Sequence, residues 1–390
     1  MKFYQKCSVF CLVFCLISAV YHSGTMKCYA AEPELLSRSG IVMEASTGTV
    51  IYEKNAHEIL PPASITKVMT LLLIYEAIEA GEITMDSIVT TSEHAANMGG
   101  SQVYLEAGEQ QTVDTLIKCI CISSANDACV AMAEHLAGTE EVFVEKMNIR
   151  AKELGMHDTN FINCCGLDAD GHVSSAYDIA IMSKELMGRF PEITKYTTTW
   201  IDSMTHVTKN GASEFGLTNT NKLIRQYEGI TGLKTGSTSK AMYCLTATAT
   251  RNNIDMIAVI LAAPDTKTRF KEASTLLSYG FSQCKSYTDT HEYMEPVIVE
   301  IEKSMKKETE LIPEEPFSYV SIGKEDIGNI TEELYLYESI VAPVEQGEEL
   351  GMIIYKLNGE EIGRIPLVSK EEIVRAKYFD YIKELLKLLT

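Results

Sequence analysis

The sequence predicts an α/β protein of the α+β kind, in which strands and helices occupy separate stretches, followed by a small all-β domain. Three patterns support this class. A β-hairpin pattern near residue 40 is followed by helical periodicity up to residue 188, and nearly continuous apolar strands return at residues 229–263. Past about residue 290, short apolar runs separated by acidic turns indicate a β-rich unit.

Composition limits the size of the fold and the kinds of partner. With 390 residues, 46% of them hydrophobic, the chain can bury a sizeable core, and two domains are expected. The formal net charge of −20 repels nucleic-acid phosphates, so no nucleic acid is expected as a partner. Seven of the eleven cysteines follow residue 30, mostly among apolar residues. This placement favours buried packing, and no metal ion or cofactor is predicted.

Residues 1–30 are predicted to be a secretory signal peptide. Two lysines precede an uncharged, largely apolar run at residues 7–20, and small residues stand before a cleavage position after Ala30. The run has 14 residues, whereas a membrane-spanning helix needs about 20, so a signal anchor is the weaker interpretation. We therefore expect the mature protein to work outside the cytoplasm.

The elements of the mature chain follow from local patterns. Residues 40–44 and 49–52 are predicted strands of a hairpin, because a glycine-containing turn joins them. Residues 65–80 are a predicted helix, since apolar residues recur at helical spacing between two prolines and Gly81. The later elements are predicted helices at 112–121, 126–137, 139–154 and 176–188, strands at 229–234, 243–250 and 254–262, and a hairpin turning at Asn358-Gly359.

A serine and a lysine, Ser64 and Lys67, stand where the first predicted helix begins. Their spacing puts both side chains on one helical face, about 5 to 6 Å apart. A serine hydroxyl becomes a nucleophile at neutral pH only when a neighbour takes its proton, and a lysine can do so only if burial and a nearby cation lower its pKa. The pattern alone is weak. It occurs four more times, beginning at Ser237, Ser282, Ser304 and Ser321.

A second motif, Ser124-Ala125-Asn126, interrupts two apolar helical stretches. In a functional interpretation Ser124 relays a proton beside Lys67, and the amide of Asn126 holds Lys67 and a substrate carbonyl. The alternative is an ordinary helix cap built from serine and asparagine.

A third motif, Lys234-Thr235-Gly236, lies on a predicted strand, where glycine permits another backbone to approach the edge closely. Lys234 would supply the second cation near Lys67 and attract a terminal carboxylate, to which Thr235 would donate a hydrogen bond. The alternative is an exposed strand end.

The three motifs, in this order and in these contexts, are those of the penicillin-recognising serine enzymes. Neighbouring residues are similar to those of the D-alanyl-D-alanine carboxypeptidases among the low-molecular-mass penicillin-binding proteins. The matching stretches are residues 62–67, 161–168, 219–223, 232–238, 342–344 and 365–368. The resemblance covers about residues 38–370. Two departures are Met242, where the family usually has glycine, and Cys164-Cys165, where it has proline and a variable residue.

The resemblance implies a β-lactamase-like transpeptidase fold, with a central antiparallel sheet flanked by helices. A peptidoglycan stem peptide ending in D-Ala-D-Ala would acylate Ser64, the terminal D-Ala would leave, and water would release the acyl-enzyme. β-Lactams would acylate the same serine. The implied catalytic residues are Ser64, Lys67 and Ser124, and the implied substrate-binding residues are Asn126, Lys234, Thr235, Gly236, Ser237 and Arg269.

Within that set, the backbone N–H groups of Ser64 and Ser237 would form the oxyanion hole. Arg269 would help to bind the substrate carboxylate, with a surface salt bridge as the alternative. His172 also matches the family, and a structural role is expected for it.

Two other functions remain open at this point. A β-lactamase or a D,D-endopeptidase could use the same site, although no glutamate-rich loop between Ser124 and Lys234 offers a deacylating carboxylate. A catalytically idle wall-binding protein could keep the fold, although every side chain of the three motifs is present.

The predicted domains are a signal peptide at 1–30, a catalytic domain at 31–288, a β-rich domain at 289–369 and an amphipathic helix at 370–390. The helix carries an apolar side formed by Tyr378, Ile382, Leu385, Leu386 and Leu389. Such a helix can lie in a membrane interface, which would attach the protein peripherally to the outer side of the cell membrane. Docking onto the β-rich domain is the alternative.

Overall fold

The computed structural model describes residues 32–388, apart from residues 210 and 324. The predicted signal peptide and Leu389 lie outside these described residues. The strands are β1 (Ser39–Glu44), β2 (Val50–Lys54), β3 (Ile88–Thr90), β4 (Gln110–Thr112), β5 (Ile201–Thr208), β6 (Gly211–Thr218), β7 (Ile230–Thr238), β8 (Met242–Arg251), β9 (Ile254–Ala263), β10 (Cys284–Asp289), β11 (Val297–Glu300), β12 (Glu308–Pro313), β13 (Phe317–Ile322), β14 (Ile330–Leu336), β15 (Glu349–Leu357) and β16 (Glu360–Ser369). The helices are α1 (Lys67–Glu79), α2 (Glu93–Ala96), α3 (Val113–Ile122), α4 (Asn126–Ala137), α5 (Glu140–Glu153), α6 (Ala176–Arg189), α7 (Thr194–Thr197), α8 (Thr266–Gln283) and α9 (Tyr378–Leu388).

A five-stranded antiparallel sheet forms the centre of the larger part, in the order β2-β1-β9-β8-β7. Its side chains alternate between two cores, as the period of a strand requires. Ile41 and Val259 face the core that includes α1 and α6, whereas Val42 and Ala258 face the core formed with α8. This arrangement confirms the predicted α/β class and the antiparallel sheet between helices.

The five longer helices between β2 and β5 lie close to their predicted ranges, whereas the short helices α2 and α7 were not predicted. The first differs at its start, because α1 begins at Lys67 and a 3₁₀ turn, Ala63–Thr66, precedes it. Helix α1 is largely apolar, and nine of its 13 residues are buried, as expected for a helix at the centre of a domain. The predicted nucleophile therefore lies in the tighter turn before the helix.

The short strand pair β3–β4 and the hairpin β5–β6 were not predicted. Strands β5 and β6 pair along their whole length as a separate two-stranded sheet. Most of their side chains are exposed or half-buried, so neither strand carries an apolar alternation that marks it in the sequence.

The C-terminal part is a five-stranded sheet in the order β11-β12-β16-β15-β14 over its own apolar core. The predicted hairpin at Asn358-Gly359 joins β15 to β16, and both turn residues have positive φ, 53° and 89°. Strand β10, which crosses the predicted limit between the domains, pairs with β13.

The terminal helix α9 begins eight residues after Lys370. The preceding stretch is held in an extended form instead, because Ile373 and Val344 exchange two main-chain hydrogen bonds of 2.8 and 2.9 Å. Ile373 is buried in the core of the C-terminal sheet. Among the described residues, no helix is long and apolar enough to cross a membrane.

Candidate active site

Ser64 lies in the 3₁₀ turn that leads into α1, and its side chain is half-buried. Ala63, the residue before it, adopts a left-handed φ of 50°, which is rare for alanine. A residue stays in this conformation only when the surrounding structure enforces it. Nζ of Lys67 lies 3.1 Å from Oγ of Ser64. The serine and the lysine therefore meet, as their spacing suggested.

Lys67 is completely buried and makes three hydrogen bonds. Besides the contact with Ser64, Nζ donates to Oδ1 of Asn126 at 2.6 Å and to the carbonyl oxygen of Cys165 at 2.7 Å. An ammonium group has three donors, so every donor is used. The lysine is thus fixed by acceptors on three different segments.

The Ser124-Ala125-Asn126 motif is not a side-chain cap. Ala125 holds the cap position of α4, and no side chain caps that helix. Asn126 instead donates from Nδ2 to the carbonyl of Gly99 at 2.7 Å, while its Oδ1 receives Lys67. Ser124 is nearly buried with a φ of 60°, and within the described part of the chain no hydrogen bond joins it to Lys67.

The Lys234-Thr235-Gly236 motif lies on β7, the end strand of the central sheet. Lys234 is almost fully buried and donates to the carbonyl of Thr235 at 3.1 Å. Burial lowers the pKa of Lys234 to about 7, and repulsion from Lys67 adds to the effect. The Thr235 hydroxyl lies 2.6 Å from that of Thr220, which comes from the predicted 219–223 stretch.

Gly236 brings β7 against the 3₁₀ turn Ala63–Thr66, which carries Ser64. A Cβ atom at this position would lie 2.9 Å from the carbonyl of Pro62 and 3.0 Å from the backbone nitrogen of Ser64. The next residue, Ser237, has an exposed side chain and pairs with Tyr243 of β8. A side chain at position 236 would therefore clash with the turn that carries Ser64, besides hindering the approach of another backbone to the edge of β7.

Arg269, on α8, makes no salt bridge with any residue that the structure describes. It is nearly buried, and its Nη1 donates to the carbonyls of Gly236 and Cys244 at 3.0 and 3.1 Å. Its burial lowers the pKa of the guanidinium. The arginine thus reaches the motif strand through the main chain of Gly236.

His172 is hydrogen-bonded to Thr66, the last residue of the 3₁₀ turn that carries Ser64. Burial lowers the pKa of His172 to about 4, so the ring is neutral at pH 7. Its Nδ1 accepts from the N–H of Ile162, which leaves Nε2 to donate to the Thr66 hydroxyl at 2.8 Å, and that hydroxyl donates to the carbonyl of Ala63. These contacts agree with the structural role expected for His172.

Sequence reasoning missed two residues that shape the site. The carbonyl of Cys165 binds Lys67, and Gly166, with a φ of 86°, packs on Ala63 so closely that a Cβ atom would lie 1.9 Å from the Ala63 carbonyl oxygen. The Cys165 contact is made by the main chain, which residue identity does not reveal. The sequence signal that could have indicated this close packing is Gly166 itself, directly after the Cys164-Cys165 pair.

Comparison with known proteins gives consistent matches over both parts. The profile of the peptidase family described as D-alanyl-D-alanine carboxypeptidase matches residues 26–265, and that of the penicillin-binding protein 5 C-terminal domain matches residues 287–375. D-alanyl-D-alanine carboxypeptidase DacF of Bacillus subtilis is 44% identical over 89% of this chain and 88% of its own length. DacC of Escherichia coli is 34% identical over 89% and 86%. The crystal structure of penicillin binding protein 6B from Escherichia coli superimposes with a TM-score of 0.65 at 30% identity, over 89% of this chain and 99% of that one.

Proposed function

The chain belongs to the D-alanyl-D-alanine carboxypeptidase family and is a serine-type peptidase of that activity, and we propose that Ser64 is its nucleophile, Lys67 its base and Ser124 its proton relay. The substrate is a peptidoglycan stem peptide ending in D-Ala-D-Ala, and β-lactams acylate the same serine. Asn126, Lys234, Thr235, Gly236, Ser237 and Arg269 bind the substrate.

The hydrogen bonds of Lys67 carry this proposal. A neutral amine has two N–H donors and one lone pair. If its two shorter bonds, to Asn126 and to the Cys165 carbonyl, keep the two donors, the lone pair is left facing Oγ of Ser64 at 3.1 Å. The amine can then take the hydroxyl proton as the oxygen attacks.

In the acylation step the Ser64 oxygen bonds to the carbonyl carbon of the penultimate D-Ala, and the backbone N–H groups of Ser64 and Ser237 stabilise the oxyanion. The proton on Lys67 passes by way of Ser124 to the amine of the departing D-Ala. Water then attacks the ester carbonyl while Lys67 takes a proton from it, the bond between the acyl carbon and the Ser64 oxygen breaks, and Lys67 returns the proton to that oxygen as the shortened peptide leaves. The bond cleaved is the one between the two D-alanines.

The substrate carboxylate is bound by the third motif. Lys234 with a pKa near 7 is only partly charged in the free enzyme, and an incoming carboxylate favours its protonated form. The Thr235 hydroxyl donates to the same carboxylate, and Arg269 adds positive charge behind Gly236.

We expect the purified enzyme to release D-Ala from a peptide ending in D-Ala-D-Ala, and to lose most of this activity when the terminal carboxylate is amidated. The amide removes the charge that Lys234 and Thr235 recognise. Release of D-Ala or D-Ala amide is measured at matched peptide concentrations. Thr235→Val, which keeps the shape of the side chain but removes the hydroxyl, should reduce the difference in turnover between the peptide with a free carboxylate and the amidated peptide. Equal turnover of both peptides would favour the endopeptidase instead.

We also propose that residues 1–30 direct secretion, and that residues 31–288 and 289–369 are the catalytic and the β-rich domain. The C-terminal segment 370–390 attaches the enzyme to the outer side of the cell membrane. Exposed apolar side chains of α9 support attachment over docking: Tyr378 is 76% exposed, Phe379 72% and Leu385 61%. Such side chains favour a membrane interface. The enzyme then acts on the wall from a peripheral position.

Removing residues 378–390 should free the protein from liposomes and leave penicillin labelling unchanged. The cut falls after Lys377, so that the pairing of Ile373 with Val344 is kept. A full-length variant with Tyr378, Phe379 and Leu385 changed to serine keeps the length and charge of the tail, and should also fail to bind. Co-sedimentation with phosphatidylcholine vesicles measures this. Equal sedimentation of the full-length and shortened forms would exclude the helix as the anchor.

A further inference from the structure

Glu140, the first residue of α5, lies outside the three motifs and bridges two segments that hold Lys67 and Asn126. Its Oε1 accepts from the backbone N–H of Cys164 at 3.0 Å, and its Oε2 lies 3.0 Å from Nε2 of His94. Its side chain is only 13% exposed. A carboxylate that is largely withdrawn from water and bonded at both oxygens has a fixed position.

The first segment is the Cys164-Cys165 turn. The Cys165 carbonyl accepts Nζ of Lys67 at 2.7 Å, and the Cys164 carbonyl accepts the Thr70 hydroxyl at 2.6 Å. The Cys164 N–H anchors the start of this turn to α5 through Glu140, and Asn148 of the same helix holds Phe161 three residues earlier. Loss of that bond would leave the orientation of the Cys165 carbonyl to the remaining contacts.

The second segment is the loop that begins with α2. His94 lies on α2, and five residues later the Gly99 carbonyl accepts Nδ2 of Asn126 at 2.7 Å. The hydrogen bond to Glu140 raises the pKa of His94, which favours an ion pair between the two side chains. Through His94, the same carboxylate is connected to the loop that orients the Asn126 amide.

Among the residues that the structure describes, the neighbouring acid makes no contact with Cys164 or His94. Glu141 also lies in the first turn of α5, where any acidic residue favours the helix dipole, but its side chain is exposed. A general effect of charge at this helix end would be shared by both glutamates. The specific contacts belong to Glu140 alone of the two.

We propose that Glu140 is a positioning residue for the acylation step, which holds the Cys165 carbonyl and the Asn126 amide in the places that orient Lys67 toward Ser64. This inference rests on the proposed roles of Ser64 and Lys67. Glu140 touches neither substrate nor the reacting atoms, so its effect falls on the rate constant of acylation and not on the preceding binding of the ligand.

The test is the concentration dependence of acylation by a fluorescent penicillin, which separates the rate constant from the dissociation constant of the first complex. Glu140→Ala should lower the rate constant about tenfold or more, because small displacements of a catalytic group cost large factors. The dissociation constant should stay within about threefold, as expected when only the transition state is affected.

Three further variants make the result specific. Glu140→Gln keeps an acceptor for the Cys164 N–H and should restore most of the rate. Glu140→Asp keeps the charge but draws the carboxylate back by one methylene, and should be slow. Glu141→Ala should behave as the unchanged enzyme. If Glu140→Ala does not fold, the aspartate and glutamine variants alone decide.

Normal acylation by the folded alanine or aspartate variant would overturn the inference, as would equal losses in the alanine and glutamine variants. Mapping the labelled peptide in the unchanged enzyme separates this failure from a failure of the proposed function. A label on any residue other than Ser64 refutes the proposed site. A label on Ser64 together with normal Glu140 variants refutes only the role of Glu140.

Discussion

Ser64→Ala is expected to abolish covalent labelling by fluorescent penicillin. The lactam carbonyl is an acyl group like that of the D-Ala-D-Ala bond, and the only hydroxyl to which Lys67 donates in the described part of the chain is that of Ser64. Without that oxygen no ester can form. Labelling is measured on denaturing gels, where only covalent adducts survive.

The matched control is Ser282→Ala. Ser282 begins another Ser-x-x-Lys sequence but lies exposed near the end of α8, so its removal should leave labelling unchanged. Labelling that persists in Ser64→Ala would exclude Ser64 as the nucleophile.

Gly166→Ala is expected to reduce the acylation rate by about 100-fold or more, the size of effect seen when an oxyanion donor is displaced. The added Cβ would meet the Ala63 carbonyl oxygen at 1.9 Å and the Ser64 nitrogen at 2.9 Å. These are main-chain atoms, so the backbone of the 3₁₀ turn at Ala63–Thr66 must move. The rate of acylation and the melting temperature are measured together.

Gly171→Ala separates this clash from backbone strain. Gly171 lies in the same loop with a φ of 82°, but a Cβ there would meet only side-chain atoms, at 3.8 and 3.9 Å. Both alanines carry the cost of a left-handed conformation, about 1 to 2 kcal/mol. Only Gly166→Ala should lose acylation, and equal rates in the two variants would contradict the steric argument.

The elements with a strong apolar period could be predicted from the sequence. Helices α4 and α6 and the strands β7 to β9 lie within a few residues of their predicted ranges, because each buries one face or both. The β5–β6 hairpin could not, since its exposed strands carry no such period. The start of α1 also differs, because the 3₁₀ turn at Ala63–Thr66 is held by packing against Gly166 and Gly236.

The same distinction applies to the site. Side chains with a proposed role in catalysis or binding, such as those of Lys67 and Asn126, could be chosen by residue type and spacing, and the structure brings them together. The Cys165 carbonyl could not be chosen in this way, because every residue has a carbonyl and only the fold decides which one faces Lys67. The hydrogen bonds of Arg269 could not be predicted for the same reason, because their acceptors are the main-chain carbonyls of Gly236 and Cys244.

The acceptors around Lys67 come from distant parts of the chain, at sequence separations of 3, 59 and 98 residues. No fragment shorter than residues 64–165 contains all of them, and a local opening of any one segment removes an acceptor. We therefore expect partly folded molecules not to be acylated by a β-lactam. The fraction of molecules that a fluorescent penicillin can label accordingly measures the intact fraction, and the loss of this capacity when the protein is denatured before labelling reports the integrity of the fold.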